Sequence, residues 1–337
     1  MKDENLEQAK KVVLTCAQPT GKLHLGNYLG ALKYWVELSN NEECYFGIAD
    51  MHAITMPYTP ADLRKNVYDC LAQYLACGLN PDSAIFPQSA IKGHADLAWC
   101  LACLCPIGNL ERMTQFKDKS KKQQNSFIGS GLLYYPVLMA ADILIYNADI
   151  VPVGVDQKQH MELARDLAQK FNMTYSDTFK IPEASIPETG ARIMSLQNPE
   201  SKMSKSDANQ SSVIYITDPS DVLRKKIMSA VTDSDTVVKF ADDKKAISNL
   251  MSIYSVITKK SMADIEAEFE GKGYGDFKKA VAEAVIEHLS PIREKYESLL
   301  KDKAYLDSVL QNGIEKAQRR ANRIMSKVWR KVGFYTK

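Results

Sequence analysis

A short β-branched run, a glycine-bearing turn and an apolar-striped helix follow one another without a gap near the start of the chain, and this succession limits the fold more than any other feature. Val12 to Ala17 (VVLTCA) reads as a strand and Gln18-Pro19-Thr20-Gly21 as a turn. Leu25, Leu29, Leu32 and Val36 then recur at i, i+4, i+7 and i+11, the stripe of a helix beginning near His24. The unit repeats: CYFGIAD (Cys44 to Asp50) precedes a helical stretch after Thr59, and AIFPQS (Ala84 to Ser89) precedes the helix around Leu97 to Leu104. IVPVGVD (Ile150 to Asp156) precedes Met161, Ala164, Leu167, Ala168 and Phe171 on one helical face. Strands alternating with helices predict an α/β, doubly wound parallel sheet of the Rossmann-like kind.

At 337 residues the chain exceeds what one core comfortably holds, so two unequal domains are expected. The texture changes after Pro199, where a polar Ser, Lys, Asp and Asn stretch gives way to long helical patterns with few strand signals. This predicts a catalytic domain over 1–206, a smaller α-helical domain over 207–320 and a basic C-terminal helix over 321–337. From Lys316 to Lys337 the chain carries eight Lys or Arg and no acid. Such a helix either meets RNA phosphates or is simply solvated, with the option of returning to the catalytic domain.

Forty-three Lys and Arg against 41 Asp and Glu give a formal charge of +2, which excludes a globally polybasic nucleic-acid coat and leaves any polyanion to local patches. No run approaches the roughly 20 apolar residues of a membrane span, and the amino terminus is polar, so a cytoplasmic protein away from membranes is expected. All seven Cys precede Pro106 and read as reduced thiols. Cys100, Cys103 and Cys105, with His94 nearby, lack the second pair of a structural zinc site, and buried helix thiols are the expectation; no metal ligand is assigned.

Gly21 to Gly26 has P-loop glycine spacing, yet Asn27 and Tyr28 stand where Lys and Ser or Thr are needed, and no complete G-x-G-x-x-G follows a strand. HLGN (His24 to Asn27) instead sits where the first strand turns into the first helix, a place that favours anions and where Gly26 lets a ligand approach the backbone. KMSKS (Lys202 to Ser206) follows His24 by 178 residues, with two lysines three apart on a Ser-rich loop that suits a mobile polyphosphate clamp.

HLGN and KMSKS in this order resemble the signature of class I aminoacyl-tRNA synthetases, and within them the tryptophanyl-tRNA synthetases. The resemblance spans nearly the whole chain: QPTGKLHLGNYLGAL (Gln18 to Leu32), DMHAIT (Asp50 to Thr55), ERMTQFKDKS (Glu111 to Ser120), YPVLMAADILIY (Tyr135 to Tyr146), DIVPVGVDQKQHMELARDLA (Asp149 to Ala168), GARIMSL (Gly190 to Leu196) and SAVTDSD (Ser229 to Asp235). It implies activation of L-tryptophan by ATP with Mg²⁺, transfer to the 3′-terminal ribose of tRNA(Trp), and a homodimer.

By that resemblance Lys119, Lys202 and Lys205 gather the leaving pyrophosphate. Gln18, Thr20, His24, Gly26, Asn27, Gly154, Asp156, Gln157, Ile193, Met203 and Ser204 face ATP together with the two KMSKS lysines. Asp142 accepts the indole N–H, which can only donate. Met139, Val151 and Val153 wall the pocket, and Gln18, Tyr135 and Gln157 hold the substrate's amino and carboxylate ends. Asp156 is equally readable as an N-cap of the following helix. His52 and His160 match family positions and are expected to be structural or to support the residues that touch substrate. Cys16 stands where many relatives carry Gly, and the loop from Ser120 to Leu132 looks long and mobile, which affects the alignment of Lys119. Two rival readings remain at this level: a tyrosyl-type synthetase on the same scaffold, and a catalytically silent homologue that binds tRNA or ATP.

Overall fold

The computed structural model describes residues 10–122, 129–185, 193–205 and 207–335, and the side chains of 119–122 lie outside that description. Five parallel strands form one sheet: β1 (Val12–Ala17), β2 (Glu43–Ile48), β3 (Ala84–Pro87), β4 (Ile150–Pro152) and β5 (Glu183–Ser185), in the order β3-β2-β1-β4-β5. Alternate residues of β1 face opposite cores, Val13 one way and Val12 and Leu14 the other, as a strand covered on both faces requires. Helices Lys33–Asn41 and Pro60–Ala76 cover the first face, and Ser130–Leu144 and Lys158–Tyr175 the second. The order reverses at β1, so the crevice outside the carboxyl ends of β1 and β4 is the switch point where open sheets of this kind bind ligands.

The sheet departs from the sequence expectation at β4 and at the edge strand beyond it. Pairing of β4 ends at Pro152 because its partner, the three-residue β5, ends at Ser185; Val155–Gln157 is already a 3₁₀ turn. β5 itself is a short, largely exposed edge strand, EAS, without apolar alternation. The first helical segment also holds a surprise: Leu25–Asn27 passes into a π-helical turn, Tyr28–Leu32, before the α-helix Lys33–Asn41.

Beyond the sheet the chain is helical: Ser220–Met228, Lys245–Thr258, Met262–Glu268, Tyr274–Lys301 and Lys303–Val332. Residues of the first four extend the same core as Leu71, Leu75 and Phe46. The last helix runs unbroken through 320/321 and joins the opposite core through Ala317, Ala321, Ile324 and Met325. Gly313 permits this, since a Cβ there would stand 1.9 Å from the Ile85 carbonyl oxygen of β3. Three of its cations hold it to the sheet side: Lys316 Nζ donates to the Asp82 carbonyl at 2.5 Å, Arg320 Nε to the Tyr146 carbonyl at 2.6 Å, and Lys331 Nζ to Thr178 Oγ1 at 2.8 Å.

Candidate active site

At the carboxyl end of β1, Gln18 accepts the Thr20 N–H at 2.8 Å and Gly21 takes φ +90°, closing a tight turn with Gln18 and Thr20 exposed. His24 is the N-cap of the segment that follows. Its Nδ1 accepts the Asn27 N–H at 3.2 Å while Asn27 Oδ1 accepts the His24 N–H at 3.3 Å, a reciprocal capping box built from the HLGN residues. Burial, then the positive charges of Lys205 and Lys202, lower the His24 imidazole to about 4, so it is neutral at pH 7. Because Nδ1 accepts, the ring proton lies on Nε2, which leaves a neutral donor at the cradle.

The second motif is brought to the first by a small hairpin. Ser195 N–H donates to the Ser201 carbonyl at 2.8 Å and Met203 N–H to the Ile193 carbonyl at 3.1 Å, with Met194 and Lys202 paired antiparallel. Asn249 on the helix Lys245–Thr258 clamps Met194 from both sides, accepting its N–H at 2.9 Å and donating to its carbonyl at 3.0 Å. A Cβ on Gly26 would meet the His24 ring at 3.1 Å and Ile193 Cβ at 3.6 Å, so the start of HLGN packs closely against the first strand of the hairpin that leads into KMSKS. Lys202 and Ser204 are exposed and Lys205 is half-buried; burial lowers the Lys205 amine against the opposing pull of Cys70 and Asp69. The side chains of Ile193 and Met203 are buried in the core, so any contact they make with a nucleotide falls to their backbone.

On the β4 side, Val151 is buried and Val153 half-buried, and Gly154, Asp156 and Gln157 form the rim. Asp156 is not the N-cap of the next helix. Gly154 caps the 3₁₀ turn, Gln157 precedes the helix, and the Asp156 carboxylate accepts from Gln157 Nε2 at 2.7 Å.

The helix Ser130–Leu144 sets Tyr135, Met139 and Asp142 on one face. Asp142 is 2% exposed, and three donors converge on its carboxylate: His52 Nε2 at 2.7 Å on Oδ2, and His94 Nδ1 at 2.6 Å with Gln88 Nε2 at 2.7 Å on Oδ1. Burial alone would push this carboxyl up, but the charges and hydrogen bonds of His94 and His52 outweigh it and hold the group well below the usual carboxylate range. A carboxylate offers about four acceptor positions, so one on Oδ2 remains after these three. His94 Nε2 lies 2.9 Å from Tyr146 Oη, which completes its engagement. Tyr135 Oη donates to Gln115 Oε1 at 3.1 Å and lies 2.9 Å from His160 Nε2, so His160 orients that hydroxyl.

His52 and His160 hydrogen-bond with Asp142 and Tyr135, and Gln88, His94 and Gln115, for which the sequence gives no such signal, share those contacts. His94 lies near the cysteines in sequence, but both its ring nitrogens serve the Asp142 network, Nδ1 on Asp142 and Nε2 on Tyr146. Among those cysteines only Cys100 is buried, Cys105 is half-buried, and Cys103 is exposed where the helix Gly93–Ala102 ends, which corrects the expectation of buried helix thiols. The Lys119 side chain, Gly190 to Arg192, Ser206 and residues 123–128 of the loop expected to be mobile lie outside the described residues. The loop expected over Ser120 to Leu132 is shorter than that, because its two ends belong to the helices Thr114–Lys122 and Ser130–Leu144.

The family profile described as tRNA synthetases class I (W and Y) matches residues 6–290. The tryptophan–tRNA ligase of Clostridium acetobutylicum is 54% identical over 326 residues, covering 96% of this chain and 97% of the relative. The tryptophanyl-tRNA synthetase structure from Mycoplasma pneumoniae superposes with a TM-score of 0.87 at 37% identity, covering 97% and 98% of the two chains. That from Campylobacter jejuni, solved with ADP and tryptophan, superposes at 0.85 and 37% identity over 96% and 100%. The chain belongs to the class I tRNA synthetases of the W and Y family, and within it to the tryptophan–tRNA ligases of bacterial type.

Proposed function

We propose that this chain is a ligase that joins L-tryptophan to tRNA(Trp) through a tryptophanyl-adenylate. The observation that carries the amino-acid assignment is Asp142: a buried carboxylate, kept ionised by two histidines, with one acceptor position left after three donors. An indole N–H fits that position. A tyrosyl-type site would need groups for a phenol hydroxyl, where this pocket has Met139, Val151 and Val153, and relatives named as tryptophan–tRNA ligases support the same choice.

Adenylate formation needs no general base, because the amino-acid carboxylate is already ionised at pH 7. Its oxygen attacks the α-phosphorus of ATP, a new O–P bond forms, and the bond to the bridging oxygen breaks with pyrophosphate leaving. What the protein supplies is position and charge. In this reading His24 Nε2–H and the Asn27 amide donate to phosphate oxygens. Lys202, Lys205 and Lys119 take up the charge that grows on pyrophosphate, and Gly26 leaves the space. Gln18, Thr20, Gly154, Asp156, Gln157, Ser204 and the backbone of Ile193 and Met203 surround the nucleotide. Tyr135, Gln18 and Gln157 hold the substrate's polar end.

Mg²⁺ would arrive with the nucleotide. Among the described residues no group of three or more His, Cys, Asp or Glu could hold a metal, which suits an ion bound mainly by substrate phosphates and water. We divide the chain at 206/207 into catalytic and tRNA-reading parts, with 207–320 as the helical domain and 321–337 as the end of the helix that returns to the sheet. We read the chain as a homodimer on the family resemblance alone. A cytoplasmic location accords with the lack, among the described residues, of a helix long and apolar enough to cross a membrane. Charging of purified tRNA(Trp) with labelled tryptophan tests the whole reading; no charging at saturating ATP and tryptophan contradicts it.

A further inference from the structure

The turn that enters HLGN is held from a direction the motif itself does not reveal. Leu23 N–H donates at 2.6 Å to Oε1 of Gln73, a side chain with no solvent exposure on the helix Pro60–Ala76. Gln73 Nε2 donates at 2.7 Å to Asp69 Oδ2, one turn earlier on that helix. The other carboxylate oxygen, Asp69 Oδ1, accepts the hydroxyl of Tyr296 from the helix Tyr274–Lys301. The order of these contacts is dictated by chemistry. A carboxylate only accepts, so it turns the Gln73 NH₂ toward itself, and the amide oxygen is thereby presented to Leu23. Leu23 is also held by its carbonyl, which accepts the Ile216 N–H at 3.0 Å, while Leu25 N–H donates to the Ile214 carbonyl at 2.8 Å. His24 thus sits between two fixed residues, one of them anchored through Gln73. Asp69 lies close enough to Lys205 for its charge to act on that amine as well.

We propose that Gln73 and Asp69 are positioning residues for the nucleotide cradle, and that the chain Tyr296–Asp69–Gln73–Leu23 transmits the seating of the helix Tyr274–Lys301 to His24. The inference rests on the reading of HLGN as the ATP cradle. None of the three side chains touches the nucleotide; each acts by fixing the next. A purely structural role would lower stability without selecting between substrates, whereas a relay to His24 affects ATP and spares tryptophan, whose pocket lies across the sheet on the Asp142 side.

The test is calorimetric ATP binding to the full chain and to Gln73→Met, Tyr296→Phe and the double variant, with the KM for tryptophan from pyrophosphate exchange. Gln73→Met keeps the volume and removes the acceptor, and weakens ATP by about tenfold, the expected scale for leaving one N–H unpaired. Tyr296→Phe deletes only a hydroxyl, keeps the ring's packing and weakens ATP by roughly two- to fivefold. In the Gln73→Met background Tyr296→Phe adds nothing, because the relay is already cut. Unchanged ATP affinity in both single variants, additive effects, equal weakening of tryptophan, or an unaltered chain that binds no ATP overturns the proposal. ATP shifts of the expected kind in a chain that shows no tryptophan-dependent exchange uphold the relay and contradict the proposed function instead.

Discussion

Cys16 and Gly47 stand opposite each other on β1 and β2, and the thiol of one fills the space a side chain on the other would need: a Cβ at position 47 would lie 2.5 Å from Cys16 Sγ. Burial pushes this thiol well above its ordinary value, with the Asp142 charge adding to the effect, so Cys16 is a neutral packing group on the Asp142 side of the sheet. Two positions on different strands must therefore be chosen together. Gly47→Ala is expected to destabilise the chain by about 1–3 kcal/mol through overpacking, and Cys16→Gly in the same chain is expected to restore most of it. Denaturant unfolding of the four members of this cycle measures the coupling; additive effects would show that the two sites do not share the space.

Removing the Asp142 charge separates binding from scaffolding. Asp142→Asn retains shape but cannot accept from His52, His94, Gln88 and an indole at once. The KM for tryptophan should rise at least tenfold while that for ATP changes less than threefold. Its pH signature has a definite sign. The folded carboxyl lies below the usual range, so it stabilises the native state above its unfolded value near ~4 and loses that contribution as pH falls further. Acid unfolding of the unaltered chain should be steeper below about pH 4 than that of Asp142→Asn. Parallel acid curves would contradict the ion-paired assignment.

His24 titrates the opposite way from a salt-bridged histidine. Its imidazole is lowered to about 4 by burial and by Lys205 and Lys202, so between that value and the unfolded value of ~6.5 the unfolded chain binds the extra proton. Stability from this group is complete above pH ~6.5 and declines as pH falls toward 4. His24→Gln should flatten the stability profile in that window, and a denaturant midpoint series from pH 4 to 7 reads it out. A steeper profile in the variant would mean that the ring is charged in the fold.

The basic C-terminal helix divides its cations. Arg320 is committed to the Tyr146 carbonyl, to Glu43 at 3.0 Å and to the face of Tyr45. Arg319 and Arg323 are exposed on the same helix. Arg319→Gln with Arg323→Gln should leave stability unchanged and reduce the slope of tRNA affinity against salt by up to about 2, whereas Arg320→Gln should cost stability first. An unchanged salt slope in the double variant would make this helix a structural strut alone.

Much of this molecule is written locally. The strand, turn and helix at Val12 to Val36 are legible because their signals are neighbours in sequence, and HLGN and KMSKS are recognisable because each is contiguous. What escapes the sequence acts across distance. β5 is an exposed edge with no apolar alternation, and the π turn at Tyr28–Leu32 is compatible with the same apolar stripe as a regular helix. Gln88 and His94 become meaningful only once Asp142 is found buried among them. Gln73 looks like an ordinary polar residue on an amphipathic helix until the fold brings Leu23, 50 residues earlier, to its amide oxygen.

The most direct measurement is ATP–pyrophosphate exchange with each of the twenty amino acids in turn, since it reports adenylate formation without tRNA. Exchange with tryptophan and with no other amino acid at comparable concentration is the predicted result. Exchange driven by tyrosine would keep the fold and the chemistry but contradict the role given to Asp142, and no exchange with any amino acid would contradict catalysis by this chain altogether.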